Sequence, residues 1–124
     1  MRHSLLADTM IILKNAEMVG KNKCIVPRSD LVKSVLAVLE KDGYISKMKI
    51  SKNDITVSLN GKINNTRAIV PRMSCKYTDF EKFEKRYLPT KDIGSIVIST
   101  SKGVMSHREA KESKIGGKLL AFVY

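Results

Sequence analysis

The chain has no tryptophan, and aromatic residues make up only 6% of its 124 positions. That scarcity argues against a surface of stacking platforms for single-stranded nucleic acid. Its two cysteines, Cys24 and Cys75, lie far apart with no CxxC pattern and no paired histidines. Such usage suits a reducing compartment and argues against both a disulfide scaffold and structural zinc. The glycines form neither GxGxxG nor the GxxxxGK[ST] phosphate loop, since Gly117-Lys118 runs into Leu119 rather than a hydroxyl. No apolar run approaches the roughly 20 residues that cross a bilayer. Asp8 interrupts the basic-then-apolar opening and no small-residue cleavage site follows, so this stretch is expected as a mature helix. Acidic residues are also scarce, 12 against 23 basic ones, leaving a net charge of +11.

The excess charge is spread evenly. Residues 1–62 hold 11 basic and 6 acidic groups, and residues 63–124 hold 12 and 6. It therefore belongs to the folded surface rather than to a tail, and such a surface attracts polyanions, nucleic acid above all. With 43% apolar and 28% charged residues the composition is that of a folded protein.

Periodicity predicts an α+β chain in two halves, 1–62 and 63–124. Ser4 is expected to cap a helix to about Val19, with Leu6, Met10 and Leu13 on its apolar face and Gly20 as its stop. A short strand around Cys24–Val26 closes at Pro27, and Ser29 or Asp30 opens a second helix ending at Gly43. Tyr44 to Ile50 alternates only loosely, Ser51–Asp54 reads as a turn, and Ile55, Val57 and Leu59 alternate cleanly. The first half thus reads αβαββ. The polar stretch from Asn60-Gly61 to Asn64-Asn65 marks the boundary. Beyond it come an extended Ala68–Tyr77 stretch and a helix to about Leu88, opened by a Thr78/Glu81 capping box. A buried strand follows over Ser95–Thr100, then a short helix opened by a Ser106/Glu109 capping box and ended by Gly116-Gly117. A last strand covers Leu119–Tyr124. Each half is too small to bury much core alone, so the two are expected to pack together.

No catalytic set emerges. His3 and His107 are the only histidines; His3 is close to a terminus and His107 reads as a solvated helix-start residue. Cys75 beside Lys76 reads as a buried small hydrophobe, as does Cys24. The segment with chemistry is Ser99-Thr100-Ser101-Lys102-Gly103, three hydroxyls, a cation and a glycine on one tight connection between a buried strand and a capped helix. Hydroxyls suit ribose and phosphate oxygens, Gly103 removes a Cβ that would hold a partner off, and the following helix start favours an anion. The same residues read equally well as an ordinary Ser/Gly turn with self-satisfied hydroxyls. A small enzyme holding a phosphorylated metabolite on this loop is the alternative of another class, but nothing supplies its acid or base; a basic protein-interaction module is a third.

The run Ser99 to Met105, STSKGVM, together with His107-Arg108-Glu109-Ala110 and Ile115-Gly116-Gly117, closely resembles the signature of the eighth universal protein family of the small ribosomal subunit. The resemblance extends along the chain through Leu6-Ala7-Asp8, Lys14 to Glu17 and Asp42 to Ile45. Pro71-Arg72, Asp79 to Arg86, Leu88-Pro89 and the terminal LLAFVY are similar to the archaeal and eukaryotic cytosolic branch. It implies two packed α+β halves, no enzymatic activity and no cofactor. It implies binding to a helix in the central domain of small-subunit rRNA, support of that domain's assembly, neighbouring small-subunit proteins as partners and a cytoplasmic location, with neither membrane nor small-molecule substrate. Carried over by position, the RNA contacts are Ser99, Thr100, Ser101, Lys102 and Gly103, with Lys14, Asn15 and Arg72. The chain departs from the family in two places. Lys118 stands where bacterial members have a glutamate, and the connection at Ser51–Asp54 is shorter than this branch usually shows.

Overall fold

A computed structural model of the chain describes residues 5–69, 73–89 and 93–124. Ser4, Pro71 and Arg72 lie outside them. The chain divides into two compact units, 1–67 and 68–124.

In the first unit the order is α1 (Leu5–Met18), β1 (Lys23–Pro27), α2 (Asp30–Lys41), β2 (Ile45–Ile50) and β3 (Asp54–Leu59). The apolar spacing of α1 places Leu6, Met10, Leu13 and Ala16 in the core, and Gly20 (φ +77°) lets the chain turn out of the helix. The Ser29 hydroxyl caps α2 by accepting from the Val32 N–H at 3.1 Å, which satisfies one of the helix's orphan donors. Its inward face is Val32, Val35, Leu36, Val38 and Leu39. The sheet has the order β1-β3-β2, antiparallel throughout. Both helices pack on one face of it, over Val26, Ile55 and Val57, all fully buried. Full burial of such side chains contributes about 2 kcal/mol each. The polar stretch expected as the boundary belongs to this unit: the Ile63 N–H donates to Glu17 Oε2 at 3.1 Å, and the Thr66 hydroxyl reaches Met10 Sδ at 3.2 Å.

The second unit is a five-stranded sheet with two short helices. Its strands are β4 (Thr66–Ala68), which carries the chain across the division, β5 (Ser74–Cys75), β6 (Ser95–Thr100), β7 (Gly103–Ser106) and β8 (Gly117–Val123). They run β4-β8-β6-β7, with β5 also paired to β8. Helices α3 (Phe80–Tyr87) and α4 (His107–Glu112) complete it. Phe80, Leu88, Ile96, Ile98, Leu119 and Phe122 form its apolar core with Ile69, Cys75 and Ala110. The Ser106 cap is present, accepting from the Glu109 N–H.

Three local expectations need correction. A 3-10 turn over Tyr77–Asp79 precedes α3, whose N-cap position is Asp79 with no side-chain cap, so Thr78 does not form the expected capping box. Helix α4 stops at Glu112, turned out by Lys114 in the left-handed region (φ 56°) rather than by the glycine pair. A strand, β7, stands between the hydroxyl loop and α4.

His107 is the largest reversal. It is fully buried rather than solvated. Its Nδ1 accepts from the Ile96 N–H at 3.0 Å, so in the neutral ring the proton is on Nε2. Nε2 lies 3.1 Å from Glu84 Oε1, close enough to feel the carboxylate but at an angle that makes no hydrogen bond. Burial, then the charges of Arg108 and Lys111, push His107 down to about 4. A carboxylate at 3.1 Å pulls the other way, but the Ile96 amide occupies the lone pair that a second proton would need, and the neutral ring prevails. His107 ties α4 to β6 and faces α3. It is a core residue.

Candidate nucleic-acid interface

The loop singled out in the sequence is the tip of the β6–β7 hairpin. Thr100 pairs with Gly103 across the ladder, leaving Ser101 and Lys102 as an exposed two-residue turn. Gly103 has φ +117°, a conformation that side chains resist, and open space lies where its Cβ would be. Since β7 follows, the tip is not at a helix start, and α4 lends it no amide dipole.

The three hydroxyls differ in their work. Thr100 Oγ1 donates to the Gly103 carbonyl at 2.7 Å and accepts from the Lys102 N–H at 3.2 Å, so it is committed to shaping the turn. The Ser99 and Ser101 hydroxyls have no partner among the described residues. The ordinary-turn reading therefore holds for Thr100 alone.

Ser99, Thr100 and Ser101 form one wall of a cleft of about 780 Å³ in the second unit. Its other walls come from the Ser74–Asp79 stretch and from Gly116, Gly117 and Lys118. The register explains the assembly: Ser99 faces Lys118 and Thr100 faces Gly117 across β6 and β8, while Cys75 faces Gly117 across β5 and β8. The two glycines are steric necessities. A Cβ on Gly117 would sit 2.2 Å from the Ser99 carbonyl oxygen, and one on Gly116 2.3 Å from that of Cys75. Only a bare backbone lets the chain lie this close to its neighbours.

Within the cleft, burial first and then the Asp79 carboxylate push the Cys75 thiol up to about 11. It is a neutral wall residue there, not a nucleophile. Among the described residues no group of three His, Cys, Asp or Glu side chains is placed to hold a metal, and no helix is long and apolar enough to cross a membrane.

The remaining residues singled out in the sequence are elsewhere. Lys14, half-buried, and Asn15, exposed, stand on α1 in the first unit, and Arg72 lies outside the described residues. The glycine pair and Lys118, by contrast, join the hairpin tip. Sequence reasoning took the glycines for a helix stop; two adjacent glycines directly before a β-rich apolar run were the available sign of close backbone approach.

Hydroxyls and bare backbone facing a cleft, on a strongly basic chain, suit contact with a polyanion. Comparison with known proteins narrows this: residues 4–124 match the model of the ribosomal protein S8 family, and the chain belongs to that family, whose members are structural and not enzymatic. It is 47% identical over 124 residues to the small ribosomal subunit protein uS8 of Archaeoglobus fulgidus, covering 96% of both chains. It is 45% identical to the uS8 of Methanococcoides burtonii, covering 96% of this chain and 95% of the relative. Both relatives are archaeal, in keeping with the branch that the sequence resembles.

Proposed function

We propose that this chain is a structural constituent of the small ribosomal subunit that binds a helix in the central domain of its rRNA and supports that domain's assembly. The observation that carries the reading is the pair of hydroxyls without a partner among the described residues, Ser99 and Ser101, on the wall of a cleft backed by Gly116 and Gly117. Ser99 and Ser101 contact ribose and backbone groups in the minor groove, where a wide, shallow surface displays the 2′-hydroxyls. Thr100 and Gly103 hold the turn that presents them, and Lys102 meets a phosphate. Lys14 and Asn15 add contacts outside the cleft, and Arg72 contributes a further one. Neighbouring small-subunit proteins are the other partners, and the location is cytoplasmic. No cofactor takes part.

The test is a pair of measurements on one variant. Ser101→Ala weakens binding to an rRNA central-domain fragment by about 1–2 kcal/mol, because a hydrogen bond is lost and an RNA group is left unpaired. Its melting temperature stays put, since an exposed hydroxyl adds little to folding. Lys102→Ala weakens binding to every RNA and lowers the slope of log affinity against log salt by about one. A melting temperature that falls while affinity holds would assign the loop a purely structural role.

A further inference from the structure

The outer face of the first unit's sheet carries a pattern that the cleft does not use. Directly opposed residues in an antiparallel sheet point to the same side. Ser58 is opposed to Lys23 on β1 and Lys47 on β2, and Thr56 to Ile25 and Lys49. These two rows alternate with the rows of Val57 and Ile55, which face the helices. Three exposed lysines therefore flank two central hydroxyls on the face that α1 and α2 leave uncovered. The one carboxylate on the same alternation, Asp54, is at the far end opposite Pro27.

A single irregularity creates the arrangement. The register of β2 slips between Ile45 and Lys47, so that Ile45 opposes Leu59 and Lys47 opposes Ser58, with Ser46 as the extra residue. Ile45 is buried and Lys47 exposed although they are two apart, a spacing that in an unbroken strand keeps both on one side. Without the bulge, Lys47 and Lys49 would aim at the core.

We propose that this sheet face is a second RNA-binding surface, sequence-independent, which grips the phosphate backbone of a duplex segment. Lys47 and Lys49 lie about 7 Å apart along one strand and Lys23 about 10 Å away across two, a spread suited to several phosphates at once. Thr56 and Ser58 lie between them as donors to phosphate or ribose oxygens. No aromatic side chain occurs in either row, so unstacked bases have no platform and the backbone is the target. Ile25 is the only apolar group on these rows, too little for a protein partner's hydrophobic contact. The charge is of one sign, and its complement is a polyanion.

The proposal rests on the chain being an RNA binder but not on the cleft, so the experiment is chosen to separate the two. The full chain carrying Lys23→Gln, Lys47→Gln and Lys49→Gln is titrated by filter binding against a short RNA duplex of arbitrary sequence at several salt concentrations. Removing three phosphate contacts lowers the magnitude of the salt slope by about 2.7, at about 0.9 per contact. A charge-matched control, Lys33→Gln, Lys82→Gln and Lys85→Gln, changes it by clearly less; equal effects of the two triples would overturn the proposal. The lysine triple loses salt dependence on the arbitrary duplex whether or not Ser101→Ala weakens binding to the rRNA fragment, so each reading fails by its own measurement. On unaltered protein in small subunits, Lys23, Lys47 and Lys49 are shielded from acetylation, and ribonuclease digestion lifts the shielding. Absence of shielding, or shielding that survives digestion because a protein covers the face, would equally overturn it.

Discussion

The two units stabilise themselves by different chemistry. In the first, Val26, Ile55 and Val57 of the sheet and Met10, Leu13, Val35 and Leu36 of the helices are all fully buried, and the buried polar side chains among the described residues are two threonines, Thr9 and Thr66. In the second, the apolar cluster surrounds a buried histidine close to a buried glutamate, and two glycines admit backbone where side chains would clash. A packed aliphatic core tolerates changes of pH and loses stability in proportion to the volume removed. A core containing a neutral imidazole and bare backbone is vulnerable to protons and to a single methyl group. The candidate cleft lies in the second unit, where the two glycines let neighbouring stretches of backbone lie close together.

The largest expected effect is steric. Gly117→Ala forces a methyl to 2.2 Å from the Ser99 carbonyl, and neither strand can yield without breaking the β6–β8 ladder. We expect a loss of about 4 kcal/mol in urea unfolding, at the exceptional end for a point change. Gly61→Ala, with open space around it but φ +77°, costs about 1 kcal/mol. Equal costs would remove the steric half of the contrast.

Acid provides the next test. A histidine near 6.5 in the unfolded chain and about 4 when folded binds its proton more readily unfolded between those values. Stability is thus fully present above about pH 6.5 and is lost as pH falls through the window toward 4, by up to about 3 kcal/mol. Hydrogen exchange locates the effect: amides of β6 and β8 lose protection on acidification, those of β3 do not, and His107→Asn flattens the response. Loss of protection in β3 alongside the others would break the comparison.

The smallest effect is one in which the units agree. Ser29→Ala and Ser106→Ala each remove a cap accepting from the backbone N–H three residues on, and each costs about 1 kcal/mol by thermal melting. A markedly larger cost for Ser106, whose side chain is buried beside His107, would mean that the cap also braces the polar pair.

Legibility from sequence follows the same division. The αβαββ order was readable because Leu6, Met10 and Leu13 repeat at helical spacing and Ile55, Val57 and Leu59 at strand spacing, both local signals. The hairpin tip was found because hydroxyls, a cation and a glycine were concentrated there. Strand β7 was missed because it is only four residues, GVMS, beginning at the loop glycine and ending at the cap serine. Thr78 failed as a cap because a 3-10 turn shifted the helix start by one residue. His107 was misplaced because its neighbours in the chain are polar while its neighbours in space, Ile96 and Glu84, are distant in sequence.

By itself, the sequence determined the class of elements, the even basic charge, the short hydroxyl loop and, through its signature, the family. These are properties of local periodicity, composition and contiguous motif. Tertiary structure alone decided how the hydroxyls are used, since Thr100 is committed to its own turn while Ser99 and Ser101 have no partner among the described residues. It also decided that Gly116 and Gly117 back a cleft, that His107 is neutral and buried, and that a bulge at Ser46 turns Lys47 and Lys49 outward. These depend on which strands pair and in what register, and on side chains brought beside distant parts of the chain, as His107 is beside Glu84; a slip of one residue exchanges the faces of a sheet.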